Sequence, residues 1–104
     1  MNDFVTLSLK KDYDVIAPDG SEIRLLPITE NGSMAHVTLN AWQVSLPIAH
    51  KTVEEIWYVL SGKGEIWRKF GEEEKVTILR PGCSLTIPLG THFQFRNTDD
   101  APLE

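Results

Sequence analysis

Turn-forming residues punctuate this chain about every ten residues, and no segment between them keeps a helical period for longer than a turn. Pro18-Asp19-Gly20-Ser21, Glu30-Asn31-Gly32-Ser33, Ser61-Gly62-Lys63, Arg80-Pro81-Gly82 and Pro88-Leu89-Gly90 each combine residues that preset a turn or tolerate positive φ. Between them lie short runs of β-forming residues: Phe4–Leu9, Ile23–Ile28, Met34–Leu39, Ile56–Leu60, Gly64–Phe70, Val76–Leu79, Leu85–Ile87 and His92–Arg96. Phe4-Val5-Thr6-Leu7-Ser8-Leu9 alternates apolar and polar, the period of a half-buried strand. The rhythm predicts an all-β sandwich or barrel.

Two pairings follow from loop length. The short turn at 61–63 predicts that 64–70 folds back on 56–60, and Gly71-Glu72-Glu73-Glu74 reads as the next hairpin tip. Its three glutamates read as a solvated turn, because nothing nearby would order them around a cation. Residues 97–104 turn toward what should be another strand. The sheet is then completed by the N-terminal strand, by a neighbouring subunit, or by chain beyond Glu104.

A length of 104 residues suits one domain. No apolar run approaches the ~20 residues that span a bilayer, and the N-terminus has no signal-peptide core. The lone Cys83 permits no internal disulfide, so a cytoplasmic setting is expected. Cys83 sits in a loop, and a catalytic thiolate there would need a base beside it. A net charge of −5 with scattered Lys and Arg argues against nucleic acid and membrane as partners.

Chemistry concentrates between Pro47 and Gly62. There His50 precedes two carboxylates, Glu54 and Glu55, which open a strand leading to Trp57. An imidazole beside a carboxylate suits proton transfer near neutral pH, with His50 as general base or acid and Glu55 as its partner. Trp42, Trp57 and Trp67 are either a stacking surface or core.

The spacing of these residues resembles that of small single-domain cupins. His50, Glu55 and Gly62 stand at the offsets of the first cupin motif, and Gly82, Pro88, Gly90 and Asn97 at those of the second. The resemblance implies a jelly-roll barrel of two packed antiparallel sheets over residues 1–104. Strand 4–9 joins that barrel, and its last strand is either supplied from elsewhere or missing. Cupin metal centres use three histidines and a glutamate. Here Ile48 and Phe93 occupy two of the histidine places, His92 lies one position early, and Trp42 stands where the first motif opens with glycine.

A one-residue offset along a strand turns a side chain to the opposite face. With Phe93 and Phe95 inward, His92 and Gln94 face out unless a bulge re-aims them. An incomplete metal site of His50 and Glu55 remains, with His36 or His92 as candidates for a third ligand to Mn, Fe, Ni or Zn. Trp42, Trp57, Phe93 and Phe95 are the expected ligand-binding aromatics. The resemblance leaves three functions open. One is an isomerase-, epimerase- or dehydratase-like enzyme on a sugar or other small polar metabolite. The others are a metal-free module binding a small ligand, and a structural cupin that forms homodimers.

Overall fold

The computed structural model describes residues 4–104 and contains nine strands, all paired antiparallel. In chain order they are β1 (Val15–Ile16), β2 (Glu22–Ile28), β3 (Ser33–Thr38), β4 (Ile48–Ala49), β5 (Glu55–Tyr58), β6 (Gly64–Phe70), β7 (Glu73–Leu79), β8 (Ser84–Ile87) and β9 (His92–Asn97). Hydrogen bonding groups them as β1-β2-β3, β4-β9-β6-β7 and β5-β8. No helix among the described residues is long and apolar enough to cross a membrane.

The core follows from the period-two pattern. Ile66 of β6, Leu79 of β7, and Phe93 and Phe95 of β9 point inward from the four-stranded sheet. Leu85 and Ile87 of β8 meet them with Val59, Leu39 and Leu103. Cys83 packs against this cluster. Along β9 the burial alternates as expected: His92 and Arg96 are exposed, while Phe93, Phe95 and Asn97 are buried. No register shift interrupts β9 against β6, so no bulge brings His92 inside.

The expected hairpin between 56–60 and 64–70 does not form. β5 pairs with β8, and β6 lies between β7 and β9. The reason lies in the last residues of the chain. The main chain of Leu60 and Ser61 bonds to that of Glu104, and a Cβ at Gly62 would stand 2.4 Å from the Pro102 carbonyl oxygen. The flank that a returning strand would need is already filled by backbone. Gly62, at φ 90°, is therefore a crossover between sheets.

Phe4–Leu9 is not a strand either. Its apolar side chains are at least half exposed, and β1 pairs with β2 at the sheet edge where an added N-terminal strand would sit. Alternation alone does not recruit a partner edge. At the other hairpin the loop is only Gly71-Glu72, and Glu73 and Glu74 belong to β7. Trp67 orders one of these glutamates, its indole nitrogen donating to Glu74 Oε1 at 2.6 Å.

After β9 the chain turns and returns to the barrel. Leu103 forms an antiparallel bridge with Leu39, just past β3, and Glu104 pairs with Ser61, just past β5. Asn97 secures this return. Its side-chain nitrogen donates to the carbonyls of Leu39 and Ala101, and its oxygen accepts from the Asp99 amide. β3 and β5 are thus each the outer strand of a sheet, joined at one end by residues 103–104.

Candidate functional site

Between β3 and β5 lies a cavity of about 560 Å³. Its apolar wall includes Val37, Trp57, Val59 and Phe95, and its polar groups include His36, Glu55 and Glu104. The rigid elements beneath it explain why these side chains converge. Glu55 opens β5 opposite Ile87 of β8, which fixes the carboxylate's direction. His50 directly follows β4, whose register against β9 is set by Ile48 opposite Phe93 and Ala49 opposite His92. The Gly90 amide donates to the His50 carbonyl at 3.1 Å, which ties the second motif to the first.

His50 Nε2 stands 2.9 Å from Glu55 Oε2, while the Trp57 indole nitrogen donates to Glu55 Oε1 at 2.8 Å. Each carboxylate oxygen therefore has a partner and the group is held in one orientation. His50 and Glu55 are each about one-third exposed, so the pair is wetted at one side. Trp57 meets Phe95 edge-on with ring centroids 4.9 Å apart, and meets Phe93 edge-on at 5.8 Å. His50 lies over Phe93 at 5.7 Å. Glu55, Trp57 and Phe95 thus line the cavity, with His50 and Phe93 standing behind them.

Trp42 is not part of this aromatic wall. It is 62% exposed and its indole nitrogen donates to Asp100 at 2.8 Å. Its backbone sits at φ 61°, the left-handed conformation a glycine would take easily. That geometry directs the side chain outward over the 97–101 turn.

Neither candidate for a third metal ligand reaches His50 and Glu55. His92 is exposed opposite Lys69, one position away from the inward Phe93. His36 is buried on β3, but its Nε2 lies 3.4 Å from Glu104 Oε1 and its Nδ1 is buried without a partner. Among the described residues no group of three or more His, Cys, Asp or Glu is placed to hold a metal ion. The two further histidine places of the cupin motifs are filled by the facing pair Ile48 and Phe93. This donor set does not fit a metal centre of the cupin kind, which needs at least three protein ligands.

Sequence reasoning missed Glu104, the acid at the other polar end of the cavity. It reaches the site only because the Asn97-anchored turn returns the chain between β3 and β5. A residue eight positions past the last predicted strand carries no local signal of that placement.

A family model for the cupin domain matches residues 35–104, and the chain belongs to that family. No curated protein matches it. Among solved structures, it is similar to Drosophila melanogaster CENP-C bound to CAL1, at 20% identity and TM-score 0.74 over 88% of this chain and 72% of that one. KdgF from Halomonas sp. is similar at 19% identity and TM-score 0.74, covering 95% and 88%. An oxalate oxidase is similar at 21% identity and TM-score 0.76, covering 98% of this chain but only 57% of its own. An oxalate oxidase and a domain bound to a protein partner are alike in fold here, and at these identities the fold is what the likeness shows.

Proposed function

We propose that this cupin binds a small organic ligand in the cavity between β3 and β5 without a resident metal. The observation that carries the reading is Glu55. Its carboxylate lines an apolar cavity while His50 and Trp57 hold it in place from behind. Ligand sites commonly pair a mostly apolar wall with a few fixed polar groups. Ile48 and Phe93, behind the cavity wall, put apolar side chains where a metal centre would need imidazoles.

The His50–Glu55 contact favours a second reading, an enzyme of the isomerase, epimerase or dehydratase kind. The pair could exchange a proton with a bound substrate, as general acid–base catalysis requires a positioned group within hydrogen-bond reach. On that reading the substrate's acidic C–H or hydroxyl must approach Glu55, the member of the pair that lines the cavity.

Melting-temperature shifts against sugars, nucleotide sugars, aromatic acids and amines test the binding reading, since a ligand selective for the folded state raises stability. A saturable shift that Glu55→Gln reduces is expected. Absence of any shift across the panel at millimolar concentration would overturn it. Turnover of a bound compound, abolished by His50→Ala with binding intact, would decide for the enzyme.

A further inference from the structure

The geometry points to an organic amine, a cation with an apolar or aromatic body, as the chemical class of ligand taken by this cavity. The inference rests on the small-ligand reading above and adds the ligand's charge. Glu54, Glu55 and Glu104 all line the cavity, and among the described residues no lysine or arginine does. His50 Nε2 stands 2.9 Å from Glu55 Oε2 and His36 Nε2 3.4 Å from Glu104 Oε1, yet among the groups lining the cavity three carboxylates face one imidazole. Trp57 supplies a neutral N–H to Glu55, and the Ser61 hydroxyl donates to Glu104 Oε2 at 3.0 Å. A carboxylate offers about four lone-pair positions, so Glu55 and Glu104 each retain acceptor capacity.

His36 stands beside Glu104 at the same end of the cavity. Its side chain is only 7% exposed, it lines the cavity, and its Nδ1 has no partner. Its Nε2 stands 3.4 Å from Glu104 Oε1, which keeps that carboxylate at the cavity's end. The carboxylates lining the cavity are therefore acceptors with room for further N–H groups. An ammonium brings three donors and the opposite charge, whereas a carboxylate or phosphate ligand brings only acceptors and like charge. Trp57 and Phe95 supply the complementary body contact, since aromatic faces attract organic cations. A small carboxylate, the class to which the glycolate in one oxalate oxidase structure belongs, would meet three glutamates here.

The test compares three probes of one shape on the intact chain: phenethylamine, 2-phenylethanol and 3-phenylpropionate, by calorimetry and melting shift. The amine is expected to bind about tenfold more tightly than the alcohol, the acid not at all, and the amine's advantage should shrink as salt rises. Glu55→Gln and Glu104→Gln should each reduce the amine's affinity several-fold more than the alcohol's. The wild-type comparison stands even where a variant folds poorly. Equal binding of amine and alcohol, or preference for the acid, would overturn the amine class and leave the pocket standing. No binding by these probes or by the wider panel would overturn the pocket itself, and this inference with it.

Discussion

Ile48 and Phe93 stand opposite each other across β4 and β9, at two places where the cupin motifs carry imidazoles. An apolar cross-strand pair thus seals the floor on which a metal would rest. Phe93 is 2% exposed and belongs to the core, so its ring adds to packing as well as blocking coordination.

Restoring both imidazoles should restore a metal centre. In Ile48→His/Phe93→His, His50 and Glu55 would be joined by two facing nitrogens from adjacent strands, giving four donors. Calorimetric titration with Zn²⁺ or Mn²⁺ should show one equivalent bound by the double variant. Each single variant should bind far more weakly. Replacing buried Phe93 by a polar ring should cost about 2–4 kcal/mol in the absence of metal, and metal should return part of it. A folded double variant that takes up no metal would show that the strand geometry, as well as the side chains, has moved away from coordination.

Asn97 should matter to the site more than its distance from it suggests. Its side-chain amide bonds the carbonyls of Leu39 and Ala101 and so fixes the segment that delivers Glu104. Asn97→Ala leaves two carbonyls short of a donor, a loss of about 2–3 kcal/mol. For a domain of this size that corresponds to a fall in Tm of about 10 °C or more. Asn97→Asp should be worse, because a carboxylate would face those same carbonyls. A thermal melt of the two variants decides it, and equal stability of Asn97→Asp and wild type would contradict the clamp.

The inward–outward order of β9 was readable because alternation is a local property. Phe93 and Phe95 fall inside, and His92 outside, with no information beyond the strand itself. His50 and Glu55 were readable for a related reason: they stand at rigid strand ends, and pairing with β9 and β8 settles where they point. Pairing partners were not readable in the same way. The turn at 61–63 looks like a hairpin, yet its geometry is set by Pro102 and Glu104, some forty residues later in sequence. Glu104 was missed, and Trp42 was placed with the ligand-binding aromatics, on the same ground, since both positions depend on where the 97–104 return packs.

Asp14 should give the stability curve a measurable acid limb. The hydrogen bond from Lys10, then the Leu25 amide at 2.8 Å, hold its carboxyl below the ordinary value of 3.8. A carboxyl whose folded value is depressed stabilises the protein fully above the unfolded value, and that contribution fades as pH falls through the folded one. The Tm difference between wild type and Asp14→Asn should therefore be constant above about pH 5 and shrink below about pH 4. A difference that stays flat down to about pH 2 would mean that the contact does not persist in solution.

Trp42 offers a direct measure of backbone strain against a side-chain hydrogen bond. A non-glycine residue in the left-handed region carries about 1–2 kcal/mol of local strain. At φ 61° Trp42 bears that strain while its exposed indole bonds Asp100. Trp42→Ala keeps the strained backbone and loses the bond, so it should lower stability. Trp42→Gly loses the same bond but relieves the strain, and should be more stable than the alanine variant by about 1 kcal/mol. Asp100→Ala, which leaves the indole without its acceptor, should cost about 0.5–1 kcal/mol, in the range of an ordinary hydrogen bond. Urea melts of the three variants separate the terms. Trp42→Gly falling below Trp42→Ala would show that the backbone here leaves the left-handed region in solution, and that position 42 does not need what a glycine provides.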